Sequence, residues 1–381
     1  MQRWRVPFIN YSKGYQNIKA EIDKAIFGCL ERGDLVYRED QKKFEERFAK
    51  YCGVKNAIGT GSCTGAMFLS LKALGIREGD EVITVSHTYV ATIDVIVACG
   101  ATPILVDVEW DSMNMDPKEV EKAITERTKA IIPVHLNGRM CDMKPIMDLA
   151  EKHNLHVIED AAQAVGAFYE GKQRGSFGKT GCFSFYPAKI LGWYGEGGAV
   201  VTDDDSLASL LYCLRDHGEW PPYLGGGLKG HIYGWGYNSI LDNIACAVLN
   251  VKMNHLSHAI ARRIEIARMY HEALKSTEYF ILPHPPEAAG KYYDSFQNYV
   301  IRVDEKTDRD LLQDHLTENG IETMVHWMIP NHKQPGLSEL GSYSLPNTEQ
   351  ISRRALSLPM YPELTDEQVN HVASCVRSYF E

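Results

Sequence analysis

The feature that most constrains this fold is an alternation of short apolar segments with amphipathic ones, beginning near residue 55. The apolar segments are NAIGTG, EVITVS, TPILVDV, AIIPVH, HVIEDA, GCFSFY and GAVVT. Stretches with helical periodicity, such as PKEVEKAITERT and MKPIMDLAEKH, lie between many of them. Strands that alternate with helices form mostly parallel sheets covered by helices on both faces. We therefore predict an α/β fold built on such a sheet.

A second, smaller unit is predicted after the alternation ends. A long helical pattern covers residues 236–274, and QNYVIRV, the helical DRDLLQDHLTENG, the strand-like IETMVH and the helical TDEQVNHVASCVRSYF follow it. This mixture is typical of an α+β unit. We place a large domain at residues 1–250, with a helix in YQNIKAEIDKAIFGCLERG ahead of the sheet, and a small domain at residues 251–381.

Composition argues against two classes of partner. The chain has 381 residues with 40 basic and 50 acidic side chains, and its net charge of -10 offers no basic footprint for nucleic acid. No apolar stretch approaches the ~20 residues of a membrane span, and the N-terminus lacks an apolar signal core. The 9 cysteines, from Cys29 to Cys375, form no C-x-x-C pair. This usage indicates a reducing compartment, and we expect the cytoplasm.

The polar residues that follow each predicted strand are the candidates for a site, because ligands of open parallel sheets bind at the carboxyl ends of the strands. After the first strand, GTGSCTGAMFLSL turns into a helix whose exposed N–H groups suit a phosphate, although a plain strand–helix turn is a fair alternative. The glycines also resemble G-x-G-x-x-G, but the third comes late. The next strand ends in Ser86 and His87 rather than in an acid for a ribose, so a nicotinamide site is disfavoured.

Other strands are followed by an aromatic ring, an acid and a lysine. Taken singly, Tyr89 is more often core packing and Asp160 more often a helix cap. Lys189, with Ser184 before it, is the only cation in CFSFYPAKILGWYGEGGAVV, and a desolvated amine of this kind can attack a carbonyl. Together these groups and the 62–64 turn match the aldehyde, the ring nitrogen, the flat ring and the phosphate of pyridoxal 5'-phosphate.

Several segments resemble the DegT/StrS sugar aminotransferases over nearly the whole chain. The most specific are E-D-A-A-Q-A, S-F-Y-P-x-K and G-E-G-G-A, in that order. The resemblance implies the aspartate-aminotransferase type of fold, the pyridoxal and pyridoxamine forms of the cofactor, and a homodimer with shared active sites. It assigns these cofactor roles: Lys189 as Schiff-base lysine, Asp160 at the ring nitrogen, Gln163 near the ring hydroxyl, Tyr89 as stacking ring, Ser62, Cys63, Thr64 and Ser184 around the phosphate, and Asn238 reaching the phosphate from the neighbouring subunit.

The sequence departs from the family pattern at a few positions. Cys63 stands where S-G-T has glycine, which is harmless if the contact is through backbone N–H. Ile240 replaces a frequent arginine, and Asn137 and Arg139 replace residues of the L-Y-G-Q motif. These changes concern the substrate rather than the cofactor.

The reaction implied by the resemblance moves an amino group from L-glutamate to a keto-sugar carried on a nucleotide. Asp160 keeps the ring nitrogen protonated, and Lys189 transfers the proton. A sugar dehydratase of the same family would carry histidine in place of Lys189. A non-catalytic sensor with this fold would have little need for Lys189, Asp160 and Ser184 together. A nicotinamide oxidoreductase would need the missing glycine spacing.

The position of amination is suggested by the small domain. GIETMVHWMIPNHKQPG places His326 at the end of a predicted strand and His332 in the following loop, and it resembles the H-Y-P-x-P-x-H-x-Q segment of members that aminate 3-keto sugars. We assign His326, His332 and Tyr186 to substrate binding, although either histidine alone could simply satisfy loop carbonyls. We predict amination at C3 of a dTDP- or UDP-linked sugar before a GDP-linked one, with C4 amination as the alternative.

No metal site is expected from the sequence. The histidine spacings in KHNLH and NHLSH lack the acidic partner or third ligand that zinc requires.

Overall fold

The computed structural model describes residues 4–220, 230–275, 279–286 and 290–381. The helices in these ranges are α1 Tyr11–Asn17, α2 Lys19–Arg32, α3 Glu39–Cys52, α4 Cys63–Ala73, α5 Ala91–Ala98, α6 Pro117–Ala123, α7 Met143–His153, α8 Asp205–Leu214, α9 Asn243–Leu274, α10 Arg309–Glu318, α11 Pro346–Arg354 and α12 Asp366–Ser378. The strands are β1 Asn56–Thr60, β2 Glu81–Val85, β3 Thr102–Val106, β4 Thr128–Ile131, β5 His156–Asp160, β6 Phe168–Tyr169, β7 Lys172–Gln173, β8 Thr180–Ser184, β9 Gly198–Thr202, β10 Phe280–Ile281, β11 Tyr292–Tyr293, β12 Tyr299–Val303 and β13 Ala355–Leu358. Short 3₁₀ turns cover Leu136–Gly138, Asn331–Lys333 and Pro335–Leu340.

The central sheet confirms the predicted α/β fold. Its seven strands lie in the order β1-β9-β8-β5-β4-β2-β3. Only β9 is antiparallel to its neighbours in this sheet, so the other six strands point the same way. Their carboxyl ends therefore meet at one edge, where a ligand site is expected.

Helices cover both faces of this sheet, because both faces of its strands are apolar. Val82 of β2 and Ile158 of β5 pack with α4, α5 and α8. Their neighbours Ile83 and Val157 point the opposite way and pack with α6 and α7. Alternation of side chains along a strand thus divides one continuous apolar run between two cores.

The C-terminal part contains a second sheet that differs from the prediction. Strands β10, β12 and β13 pair antiparallel, and α10 and α12 pack against this sheet. The segment IETMVH is not a strand: it makes only isolated bridges, from Ile321 to Val6 and from Met324 to Ser357. Strand β12 pairs instead with β10 on one side and with β13, more than 50 residues later in the sequence, on the other.

Two helix boundaries also differ from the sequence pattern. The predicted N-terminal helix is divided into α1 and α2, and the long helix begins at Asn243 rather than at residue 236. The division predicted at residue 250 falls inside α9 and stays a prediction.

Candidate active site

A cavity of about 770 Å³ opens at the carboxyl edge of the central sheet. It is lined by these sequence-predicted residues: Ser62, Cys63, Thr64, Tyr89, Asp160, Gln163, Ser184, Tyr186, Lys189 and His326. They come from the ends of β1, β2, β5 and β8 and from the small sheet's side of the cleft. The structure therefore brings together every predicted site residue except Asn238 and His332.

The start of α4 provides hydrogen-bond donors for an anion. Ser62 is the N-cap, and its hydroxyl oxygen accepts the N–H of Gly65 at 3.0 Å. The N–H groups of Cys63 and Thr64 belong to the first turn, where no intrahelical acceptor exists. Burial raises the pKa of the Cys63 thiol, so this side chain adds no negative charge. Two backbone donors and the positive end of the helix dipole thus suit a phosphate.

Close packing holds this turn against the sheet. A Cβ at Gly198, the first residue of β9, would lie 2.4 Å from the carbonyl carbon of Ser62. Only glycine permits the strand to pass so near the start of α4. Ser184, on the neighbouring strand β8, is buried and lines the same part of the sheet edge.

Lys189 lies in the loop after β8 and presents its amine to the cavity. The surrounding protein desolvates the amine and lowers its pKa, and the negative charge of Asp160 only partly opposes this effect. A larger fraction of the amine is therefore uncharged at neutral pH than in an ordinary lysine, as attack on a carbonyl requires.

Asp160 is the last residue of β5 and is buried at the base of the cavity. Desolvation raises the pKa of its carboxyl group, and hydrogen bonds oppose that rise. The Thr92 hydroxyl donates to Oδ2 at 2.8 Å, and the Ala162 N–H donates to Oδ1 at 3.1 Å. A buried carboxyl group that accepts hydrogen bonds on both oxygens is suited to pair with a cationic partner. Thr92, which the sequence reasoning missed, lies three residues after Tyr89 in SHTYVAT.

Tyr89 and Gln163 offer an exposed ring and an oriented amide. Tyr89 is 66% exposed, so protein does not cover its ring. The Gln163 Oε1 accepts the N–H of Asn137 at 2.9 Å, which leaves the Nε2 donor for the cavity. Asn137 has a φ of 58°, a left-handed conformation that asparagine tolerates well.

Three further side chains line the cavity, one of them predicted and two unpredicted. The His326 Nδ1 shares a 2.8 Å hydrogen bond with the Ser357 hydroxyl, and burial lowers the pKa of the ring to about 4, so it is neutral at neutral pH. Trp327 and Glu196 also line the cavity. Trp327 has a φ of 54°, which is unusual for a bulky residue, and its ring contacts His87 edge-on at 5.1 Å. Trp327 follows His326 at the position where the H-Y-P-x-P-x-H-x-Q segment has tyrosine, and this difference was its only sequence signal.

His332 is not among the residues that line the cavity. Its Nδ1 shares a 2.7 Å hydrogen bond with the Ser86 hydroxyl, and its Nε2 lies 3.1 Å from Glu349 Oε1. Both ring nitrogens are engaged inside the protein. Direct substrate contact by His332 stays a prediction.

Asn238 is also outside the cavity of its own chain, although the structure describes it. It is exposed and forms an isolated bridge with Asp216. The adjacent Ser239 accepts the N–H of Gly61 at 3.1 Å. Asn238 thus lies near the start of α4 but faces outward.

These residues fit pyridoxal phosphate. The donors at the start of α4 suit its phosphate, Tyr89 its ring face, Asp160 its ring nitrogen and Lys189 its aldehyde. The match depends on four different chemical groups in one cavity and not on any single one of them.

The described residues contain no cluster of histidine, cysteine, aspartate or glutamate side chains that would hold a metal ion. None of the helices in the described ranges is both long and apolar enough to cross a membrane.

Comparison with known proteins identifies the family of the chain. The sequence pattern of the DegT/DnrJ/EryC1/StrS aminotransferase family matches residues 16–377. A Geobacillus stearothermophilus relative called "Pleiotropic regulatory protein" is 40% identical over 377 residues, or 98% of each chain. The Streptomyces venezuelae dTDP-3-amino-3,4,6-trideoxy-alpha-D-glucose transaminase is 39% identical over 379 residues, covering 99% of this chain and 97% of that protein.

A solved structure extends the likeness to three dimensions. The crystal structure of S. venezuelae DesV in complex with a ketimine intermediate has a TM-score of 0.93 to this chain at 39% identity. The match covers 100% of this chain and 99% of that one. The resemblance seen in the sequence is confirmed: the chain belongs to the DegT/DnrJ/EryC1/StrS aminotransferase family.

Proposed function

We propose that this protein is a pyridoxal phosphate-dependent aminotransferase that moves the amino group of L-glutamate to the C3 keto group of a dTDP- or UDP-linked deoxy-sugar. Aminotransferases of the family depend on this cofactor. The observation that carries the proposal is the convergence of a desolvated lysine, Lys189, and a buried carboxylate, Asp160, in one cavity at the sheet edge.

Asp160 and Lys189 have different roles: Asp160 binds the cofactor ring, and Lys189 transfers protons. When bound, pyridoxal phosphate supplies an aldehyde that captures an amine and a ring that accepts the electron pair released at the amine-bearing carbon. The Asp160 carboxylate holds a proton on the ring nitrogen. The Lys189 Nζ, whose pKa burial lowers, removes the proton from the donor carbon and returns one to the sugar carbon. Glutamate thereby leaves as 2-oxoglutarate, and the keto-sugar leaves as an amino-sugar.

Purified protein provides the direct test. We expect a yellow absorbance band that borohydride bleaches. In a separate sample, glutamate should remove the band, and a 3-keto nucleotide sugar added afterwards should restore it. A panel with dTDP-, UDP- and GDP-linked 3-keto and 4-keto sugars then identifies the substrate. Efficient turnover of a 4-keto sugar without turnover of the 3-keto isomer would establish the C4 alternative.

The choice of C3 is supported by the name of the Streptomyces relative, a 3-amino-sugar transaminase, and by the histidine segment at the cavity wall. His326→Asn is expected to raise the KM for the sugar roughly 2- to 10-fold, the range of one neutral hydrogen bond. The Ser357 hydroxyl already engages Nδ1, so Nε2 is the ring atom left for a sugar hydroxyl. The glutamate half-reaction, followed by its spectral change, should keep its wild-type rate.

His332→Asn is the companion variant for this prediction. A lowered melting temperature with an unchanged sugar KM would show that His332 only stabilises the fold, through its contacts with Ser86 and Glu349, and does not bind the sugar. If His326→Asn instead slows the glutamate half-reaction as strongly as sugar turnover, the sugar-side role of His326 is wrong.

We further propose a homodimer in which Asn238 completes the partner's cavity. Among the described residues that line the cavity in one chain, Lys189 is the only lysine or arginine, which is little charge for a phosphate and an anionic substrate. Exposed apolar side chains occur near Asn238, including Ile232, Tyr233 and Trp235, of which Trp235 is 96% exposed. An exposed apolar patch of this kind marks a protein contact.

Mixing two inactive variants tests the shared site. Lys189→Ala and Asn238→Ala chains, unfolded and refolded together, should recover roughly a quarter of wild-type activity, because half of the dimers are mixed and each has one complete site. A mixture of Lys189→Ala with Asp160→Ala is the control and should recover none, since both residues line the same chain's cavity. Full activity in sedimenting monomers would contradict the proposal.

A regulatory role is the second candidate function, because the Geobacillus relative is called a regulatory protein. A protein that only senses the cofactor would bind it and show no glutamate-dependent change in absorbance. The location proposed for either function is the cytoplasm, supported by nine free cysteines, eight of them buried.

A further inference from the structure

The loop that carries Lys189 has no regular secondary structure to hold it. It follows β8, and within the described part of the chain Lys189 itself makes only turn hydrogen bonds, from its N–H to the Tyr186 oxygen and from the Gly192 N–H to its own oxygen, both at 2.9 Å. The turn is tight, since a Cβ at Gly192 would lie 2.3 Å from the Tyr186 oxygen. The peptide groups beside Lys189 need other partners, because buried backbone groups are rarely left unpaired.

Gln297 provides those partners from outside the loop. Its Oε1 accepts the N–H of Ile190 at 3.0 Å, and its Nε2 donates to the carbonyl oxygen of Ala188 at 2.8 Å. One amide group therefore clasps the peptide units on both sides of Lys189. The two bonds fix the amide orientation, and Gln297 is only 6% exposed, so water competes little for them.

The Gln297 backbone is anchored in turn. The guanidinium of Arg263, a buried residue of α9, donates from Nη1 to the carbonyl oxygens of Phe296 and Gln297, both at 3.1 Å. The same nitrogen donates to the Met360 oxygen at 3.0 Å. Gln297 thus extends from a fixed point between α9 and the start of β12.

The next residue holds another polar group of the cavity. The Asn298 Nδ2 donates to Asn137 Oδ1 at 3.0 Å and lies 3.4 Å from Gln163 Oε1. The Asn137 N–H donates to that same Gln163 oxygen. The segment entering β12 therefore contacts the supports of two groups in the cavity, Lys189 and Gln163.

We propose that Gln297 is a positioning residue for Lys189: its amide clasps the flanking peptide groups and keeps the lysine amine directed into the cavity. Gln297 does not line the cavity and touches no reacting atom. Its effect comes through the backbone of Lys189. The inference rests on the proposed function, in which the Lys189 amine reacts with an aldehyde.

Gln297→Met tests the clasp, because methionine has a similar size and forms neither hydrogen bond. Apoprotein is mixed with pyridoxal phosphate, total binding is measured by dialysis, and the covalent fraction is trapped with borohydride and located by peptide mass spectrometry. We expect total binding to stay near wild type while covalent capture at Lys189 becomes roughly 10- to 100-fold slower. Turnover should show the loss in kcat and not in the sugar KM.

Asn250→Leu is the matched control. Asn250 is also 6% exposed, accepts from Arg47 Nη1 at 3.1 Å and donates to the Asp40 oxygen at 2.9 Å, away from the cavity. The Asn250→Leu variant also loses two side-chain hydrogen bonds, and it should capture the cofactor at the wild-type rate. If Gln297→Met does not fold, Gln297→Asn replaces it, since the shorter amide reaches at most one of the two peptide groups and should give a smaller loss.

The outcomes separate this inference from the proposed function. No covalent cofactor at Lys189 in the wild type would overturn both. Normal trapping in the wild type with equally fast capture in the Gln297 variant would overturn only the clasp. Equal slowing in the Gln297 and Asn250 variants would also overturn it, because the effect would then be general destabilisation.

Discussion

Lys189→Ala is expected to lower turnover by about 10⁴-fold or more while the protein stays folded, because the variant lacks both the nucleophile and the proton carrier. The side chain lines a cavity rather than filling a core, so its truncation leaves no buried void. Pyridoxal phosphate should still be retained without a covalent link, through the donors at the start of α4 and the carboxylate of Asp160. The checks are absorbance, borohydride trapping and the melting temperature.

Lys252→Met distinguishes this effect from the loss of any buried lysine. Burial lowers the pKa of Lys252 to about 8, and its amine donates to the Gly192 carbonyl oxygen instead of facing the cavity. This variant should keep the covalent absorbance band. Wild-type rates in Lys189→Ala, or loss of the band only in Lys252→Met, would show that the reactive amine has been misassigned.

The sheet and the location of Lys189 and Asp160 at its edge were predictable because both depend on local sequence. Continuous apolar runs that alternate with amphipathic segments indicate strands buried on both faces, and a parallel sheet places their carboxyl ends together. A lone lysine in an apolar run and an acid at a strand end were visible without any knowledge of contacts. The structure places Lys189 and Asp160 in one cavity for this reason.

The small sheet and the substrate side were harder because they depend on distant contacts. The segment before His326 is extended and apolar enough to suggest a strand, yet it makes only two isolated bridges, from Ile321 to Val6 and from Met324 to Ser357 of β13. A histidine in a loop, such as His332, is a residue type that often contacts a ligand. Its burial results from Ser86, which is far away in sequence, and from Glu349 on α11.

The Gln297 clasp has no sequence signal of its own. A glutamine beside an apolar strand is compatible with solvent, with a cap or with a backbone partner. Its role becomes visible only when the loop around Lys189 and the start of β12 are placed side by side. Groups that act on a site through the backbone are for this reason the least predictable from one sequence.

Asp160→Asn is expected to lower kcat about 10²-fold or more in both half-reactions, because the amide keeps the shape of the side chain but cannot balance a protonated ring nitrogen. The Thr92→Val variant is its graded control. The Thr92 hydroxyl helps to lower the pKa of Asp160 against desolvation, so its removal raises that pKa further. The carboxylate then becomes protonated at a higher pH, and the acid limb of the kcat profile should move upward. Stopped-flow rates with glutamate across pH measure both effects, and near-wild-type rates in Asp160→Asn would remove Asp160 from the mechanism.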